Sequence, residues 1–168
     1  MKEEKVMTNN NPLKERIGRS LGRIPSGVAI LTTQQGGQKG TMLASWFQQV
    51  SFEPPMVVIA MKKGRSAEEV LRSSEKFVLN ILHTNQKDVM AHFGKGFKPG
   101  EDPFAGIETK KGKTGIPVLK CSLCFLECQV RHIFEAGDHH LFVGEVIDAG
   151  MEEEGQPMVH MRRNGFNY

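Results

Sequence analysis

Three short stretches hold the residue types that do chemistry. The first, CSLCFLEC at 121–128, contains all three cysteines of the chain, Cys121, Cys124 and Cys128. Its C-x-x-C spacing fits a redox pair or half of a zinc site, but its surroundings, LKCSLCFLECQV, read as a strand. On a strand, residues three apart point to opposite faces, so Cys121 and Cys124 diverge. Cys124, Leu126, Cys128 and Val130 then share a core-like face, and the cysteines read as buried structural residues. The second stretch, GDHH at 137–140, sets two histidines in a turn before a strand. With His132 and the cysteines they invite a metal, yet adjacent strand histidines diverge and no H-x-x-x-H or C-x-x-C pair completes four ligands. A histidine meeting a substrate at a barrel rim is the other use of this motif. The third stretch is KKGRSAEEV at 62–70, where a strand ends, basic residues follow and a helix starts. Its free amides, its dipole and the cations can hold an anion such as phosphate. The same residues also suit a solvated basic turn.

Other chemistries lack their residues. GKGFKPG departs from the GxxxxGK[ST] phosphate loop, and no GxGxxG fingerprint is present. There is no G-x-S-x-G elbow, and the acids are scattered rather than paired. The inventory is a surface of hydroxyls, amides and backbone with one basic corner and a rim histidine. Such a surface suits a protein whose cofactor supplies the reactivity.

The elements that must position these groups are short. Asn11-Pro12 caps and opens a helix to about Leu21. GVAILTT (27–33) is a strand, and QQGGQ turns it into TMLASWFQQVSFEPP (41–55), expected as one strand ending at Pro54-Pro55. In it Met42, Ala44, Trp46, Val50 and Phe52 alternate as the core face, against Thr41, Ser45, Gln49 and Ser51. MVVIAMK (56–62) reads as a strand buried on both sides. Ser66-Ala67-Glu68-Glu69 resembles a capping box opening a helix to about Ser73. A strand at 76–82 and a helix at 85–93 follow. Residues 94–117 read as an irregular excursion, then come strands at 118–131 and 140–149 and a last strand with a tail from Met158. This order predicts a mainly antiparallel barrel decorated by short helices.

Length and composition agree. With 168 residues, 39 % hydrophobic and 24 % charged, the chain suits one domain with a substantial core. Eighteen glycines, about 11 %, exceed the usual ~7 % and fit a turn-rich β protein. A net charge of +3 makes no case for nucleic acid. The polar MKEEKVMTNNNPLKER start and the lack of a long apolar run argue for a cytoplasmic protein without a membrane span.

GRIPSGVAILTT, TMLASWFQQVSFEPPMVVIAM, KFVLNIL and GDHHLFVGEV, in this order and spacing, resemble the flavin reductase-like family. HFGKGFKPGEDPFAGIE (92–108) and HMRRNGFNY (160–168) are further similar to the flavin reductase domains found with flavodiiron proteins. The resemblance implies an FMN-binding split barrel over residues 17–168, after a flexible or helical extension at 1–16. It implies Thr41, Leu43, Ala44, Ser45 and Trp46 along the isoalloxazine, with Gln49, Val50 and Ser51 near the ribityl chain and phosphate. Lys62, Arg65 and Ser66 fall on the family's phosphate corner. The GDH motif falls on Gly137, Asp138 and His139, and places the histidine against flavin and nicotinamide. Arg162 and Tyr168 match a tail that closes over the site in relatives.

The implied cofactor is FMN, with FAD possible, reduced by NADH or NADPH in a homodimer. Electrons would pass to free flavin or to a partner such as a flavodiiron protein or rubredoxin. A flavin electron carrier without its own pyridine-nucleotide reaction is the alternative. A pyridoxamine-phosphate oxidase-like activity is disfavoured by the GDH and S-x-x-P-P motifs.

Overall fold

In chain order the elements are α1 (Pro12–Leu21), β1 (Ser26–Gly27), β2 (Ala29–Gln35), β3 (Gln38–Ala44), β4 (Phe47–Ser51), β5 (Met56–Lys62), α2 (Ser66–Ser74), β6 (Lys76–Ile81), α3 (Lys87–Gly94), β7 (Thr109–Lys111), β8 (Pro117–Leu119), β9 (Cys124–Ala136), β10 (His139–Met151) and β11 (Val159–His160). The computed structural model describes residues 11–98 and 100–167. Two compact units divide the chain, Ser26–Val159 and a smaller one from the residues up to Pro25 and from His160 on.

The larger unit is built on a seven-stranded sheet in the order β3-β2-β6-β9-β10-β5-β4, every neighbouring pair antiparallel. Its two edge strands, β3 and β4, are joined by Ser45 and Trp46 alone. So short a link forces the sheet to curl until its edges meet there. Elsewhere β3 pairs with β2 and β4 with β5, and the edges do not pair with each other. The result is an antiparallel split barrel, closed at one corner and open below it.

This corrects the expectation of one strand over 41–55. In β3 the even residues face the barrel: Ala44 is buried and Met42 packs on the core. After the Ser45–Trp46 break the phase inverts, so Phe47 packs inward opposite Ile59 while Val50 and Phe52 are exposed, Phe52 at 89 %. A one-residue change of pleat phase exchanges the faces of everything downstream. The alternation was therefore legible only as far as Ala44.

The barrel core gathers Leu31, Ile59, Met61, Phe77, Leu79 and Phe142, and α2 adds Ala67 and Leu71. That helix approaches β3 closely: a Cβ on Gly40 would lie 3.1 Å from the Ala67 Cα. On the other side of β2, Val28 and Ile30 pack with Val89 and Phe93 of α3 and with Phe104. Strand β2 is thus covered on both faces, which accounts for its unbroken apolar run. Strand β5 is not, contrary to expectation. Val57, Ile59 and Met61 are buried, while Met56, Val58 and Ala60 are half-exposed on the outer face.

Two local signals hold at the start of α1 and at the β2–β3 turn. Asn11 caps α1, its Oδ1 accepting from Leu13 N at 3.0 Å and Lys14 N at 3.3 Å. Gly36 and Gly37, both with positive φ, close the β2–β3 hairpin. The excursion after α3 holds β7, which the sequence pattern did not indicate; it pairs with β8, the start of the strand expected over 118–131, which breaks at 120–123 before β9. Buried Glu127 anchors the β7–β8 turn, accepting from Lys113 N at 2.7 Å and Thr114 N at 2.8 Å. The strand expected from Met158 is only Val159–His160.

Candidate functional site

The closed corner collects the chemistry. Trp46, at the break between the edge strands, holds onto β5 through its carbonyl, which accepts from Ala60 N at 2.8 Å. Its indole lies over the His139 imidazole, with ring centroids 4.9 Å apart and planes tilted by 34°. His139 is the first residue of β10, opposite Lys62 at the end of β5. By register it belongs to the outer face, with Leu141 and Val143, yet it is only 7 % exposed. The indole therefore turns outward, away from the core position that alternation assigned to it.

His139 is also held from the side. Its Nδ1 is 2.8 Å from Oδ1 of Asp138. An ionised carboxylate only accepts, so Nδ1 is the donor in this contact. The hydrogen bond from His139 holds the Asp138 carboxyl below the usual carboxylate range, with Lys62 adding to the effect. Lys63 N donates to Asp138 O at 3.0 Å, fastening the β5–α2 turn to the β9–β10 turn.

That turn, 62–66, is exposed throughout. Arg65 rather than Ser66 is the N-cap of α2, and it makes no side-chain capping bond. The expected capping box is replaced by Glu68, whose Oε2 accepts from Gly64 N at 3.1 Å. Oε1 of Glu68 accepts from Arg72 Nε at 3.0 Å and lies 2.7 Å from His140 Nδ1. From sequence Glu68 reads only as part of a capping box, and His140 only as the second histidine of GDHH. The available signal was Arg72 four residues after Glu68, a helical ion-pair spacing.

The expected site residues fall in three places. Ala44, Ser45, Trp46, Lys62, Arg65, Ser66 and His139 gather at the closed corner. Thr41 lies opposite Thr32 on β3, and Leu43 packs in the α3 layer, opposite Ile30. Gln49 and Ser51 lie at the far end of β4, opposite Val57 and Met56, with Val50 exposed between them. From Met56 to Lys62 the strand advances roughly 20 Å at ~3.3 Å per residue. Gln49–Ser51 and Lys62–Ser66 are therefore separate neighbourhoods. Gln49 instead lines a cleft of about 340 Å³ with Phe47, Met56, Leu126 and Val146.

The cysteines lie apart from this corner. All three are free, but only Cys128 is buried; Cys121 and Cys124 are half-exposed, contrary to expectation, and Cys121 precedes β9 rather than lying on it. Burial pushes the Cys128 thiol up to about 12. Among the described residues no group of three or more His, Cys, Asp or Glu is placed to hold a metal ion, and no helix is long and apolar enough to cross a membrane. In the smaller unit Arg162 donates to Gly165 O at 3.2 Å and Leu21 O at 3.4 Å, and Gly165 N donates to Gly18 O at 2.7 Å. Tyr168 lies outside the described residues.

Residues 21–167 match the family described as flavin reductase like domain. The chain belongs to that family. Among curated proteins, this flavin reductase-like chain is 40 % identical over 158 residues to diflavin flavoprotein A 1 of Synechocystis sp., covering 93 % of the chain and 28 % of that protein. It thus spans under a third of that relative's length. Among solved structures, nitrilotriacetate monooxygenase component B from Mycobacterium thermoresistibile is 31 % identical with a TM-score of 0.78, over 86 % of this chain and 80 % of that one. The NADH:FAD oxidoreductase of Streptomyces globisporus C-1027 is 27 % identical with a TM-score of 0.81, over 98 % and 96 %. A second structure of that oxidoreductase is a complex with NAD and FAD fragments, with 28 % identity, a TM-score of 0.78 and coverage of 92 % and 90 %. The flavin reductase-like fold expected from the motifs is therefore the fold of this chain.

Proposed function

We propose that this chain is an NAD(P)H:flavin oxidoreductase that binds FMN at the closed corner of its split barrel. The carrying observation is the Trp46–His139 stack beside the exposed basic turn. The donor set suits such a cofactor: an aromatic face, backbone groups at a break between strands, and cations within one turn of each other. When bound, flavin accepts hydride from NADH or NADPH and passes electrons to free flavin or a redox partner. No acid or base is needed from the protein for hydride transfer. Its work is to stack the two rings at ~3–3.5 Å.

His139, held by Asp138 and covered by Trp46, orients the nicotinamide. Lys62, Arg65 and Ser66 hold the phosphate, because three exposed donors and a helix start favour an anion. Thr41, Leu43, Ala44, Ser45 and Trp46 carry the ring contacts through the curled edge. Gln49, Val50 and Ser51, at the other end of β4, meet the ribityl side of the cofactor or contribute nothing to it. Met56, Val58, Ala60, Leu141 and Val143 form a half-exposed apolar strip on the outer sheet face. A homodimer that covers this strip would shield the ring site from water. The split-barrel domain is taken as 17–168, with 1–16 as an extension, in a cytoplasmic protein.

Purified protein carries the decisive test. It is titrated with FMN and then with NADH or NADPH without oxygen, while the visible spectrum is followed. Bleaching of the oxidised flavin band supports the reading; a protein that takes up no flavin rejects it. Flavin that binds but stays oxidised with both nucleotides leaves the electron-carrier form. That second form is favoured by the relative named a diflavin flavoprotein, of which this chain matches 28 %. In it a redox partner such as a flavodiiron protein or rubredoxin supplies or receives the electrons.

A further inference from the structure

We propose that Glu68 is a positioning residue for His139, acting through His140 and the Gly64 turn. The two adjacent histidines of β10 face opposite sides of the sheet. His139 turns outward under Trp46, and His140 turns inward, opposite Met61, toward α2. Glu68 is only 7 % exposed and serves three elements at once. It accepts from the Gly64 amide of the β5–α2 turn, pairs with Arg72 on its own helix, and lies 2.7 Å from His140 Nδ1 in a close contact that lacks hydrogen-bond alignment. His140 Nε2 in turn lies 3.5 Å from Glu135 of β9, which Lys63 Nζ reaches at 3.4 Å. With Lys63 N bonded to Asp138 O, these contacts form a closed ring around the start of β10.

The ring is more than an ordinary helix cap. A capping carboxylate needs only its own helix and the turn before it. Glu68 instead carries negative charge into a nearly buried place where Arg72 and His140 converge, with Arg72 also stacked over Phe142 at 5.4 Å. Burial alone would raise the Glu68 pKa, yet the bonds from Arg72 and Gly64 and the charge of His140 outweigh it and leave the group lowered. A fixed His140 fixes the backbone of its neighbour, and Asp138 is tied to the same turn. His139 is thereby held from both sides in sequence, which sets its distance from the indole. This rests on the nicotinamide role of His139 for its functional meaning, but its geometry can be tested without any cofactor.

Trp46 is the only tryptophan, so its emission reports on its contact with His139. Imidazolium quenches indole on contact; Asp138, Lys62 and Trp46 face His139, while Glu68 and Glu135, with their partners Arg72 and Lys63, face His140. Emission is recorded from pH 5 to 8 in the cofactor-free wild type, with His139→Ala as the control without quenching. In Glu68→Gln the amplitude of quenching falls at least ~2-fold, because the side chain keeps its volume but offers one acceptor where three groups converge. His140→Gln gives the same loss and answers the question if Glu68→Gln does not fold. A shift of midpoint with unchanged amplitude would mean a charge effect alone and overturns the proposal.

A second arm reads the reaction. Glu68→Gln slows flavin reduction ~10-fold and raises the KM for the pyridine nucleotide, and it adds nothing further in a His139→Ala background. Additive losses overturn the proposal. If the wild type is not reduced by either nucleotide, the reductase reading falls, and the emission amplitude still decides the role of Glu68.

Discussion

The two ends of β4 differ in what they gather. At Ser45–Trp46 the edges of the sheet meet, and around that point stand an indole, an imidazole, a carboxylate and an exposed basic turn. Past Phe47 the edges part, and the cleft there is lined by Phe47, Met56, Val57, Leu79, Leu126 and Val146 with two glutamines. Among the described residues no titratable side chain lines it. Closing a barrel brings chain ends, turns and helix starts to one place, and such places leave polar groups for ligands. An open seam exposes the apolar interior, which serves to be covered.

The sharpest way to test this contrast begins with a change that should ignore it. Phe142 is fully buried mid-barrel, so Phe142→Ala should cost about 3–5 kcal/mol in denaturant unfolding and damage both ends alike. Loss at one end only would mean that the ends fold independently. Next comes the contrast itself. His139→Ala is expected to slow flavin reduction about 100-fold with FMN affinity within about 3-fold, since misplacement at a reacting centre costs that much. Gln49→Ala at the open end should change reduction less than about 3-fold. Stopped-flow reduction and flavin titration of both variants measure it, and equal losses would break the contrast.

What was legible in the sequence follows the same division. The Asn11-Pro12 start, the Gly36-Gly37 turn and the apolar run of β2 are local signals, and they read correctly. The GDH motif led to His139, but nothing local to GDHH said that His139 would lie under Trp46. That contact depends on a change of pleat phase at Ser45–Trp46, which periodicity cannot register because the polar and apolar residues continue without a gap. Val50 and Phe52 were misassigned for this reason. The role of Glu68 is hidden in the sequence because the capping-box pattern pairs Ser66 with Glu69, whereas the partners of Glu68, Gly64, Arg72 and His140, come together only when α2 folds onto β10.

A smaller effect separates the basic turn from the rest of the corner. Arg65→Ala and Lys62→Ala should each weaken FMN binding about 5- to 10-fold, as loss of one exposed charge-assisted contact would. Riboflavin, which lacks the phosphate, should bind the variants and the wild type equally. The FMN deficit should shrink as salt is raised, because both residues are exposed. Parallel losses for riboflavin would move the phosphate away from this turn and toward the Gln49–Ser51 end.

The smallest expected effect concerns pH and Glu68. Its folded pKa lies below the ordinary 4.5, so the folded state binds fewer protons here than the unfolded chain does. Stability from this group is therefore complete above pH 4.5 and is lost as pH falls through the lowered folded value. Comparing wild type with Glu68→Gln isolates it: the difference should be about 1 kcal/mol near pH 7 and should vanish at the acid end. Asp138 has a lowered pKa as well, but its side chain is 76 % exposed, and solvent screening leaves it little to lose. A difference that persists unchanged in acid would mean that Glu68 holds the corner by shape alone. Its charge would then have no part in fastening the histidine strand to the basic turn.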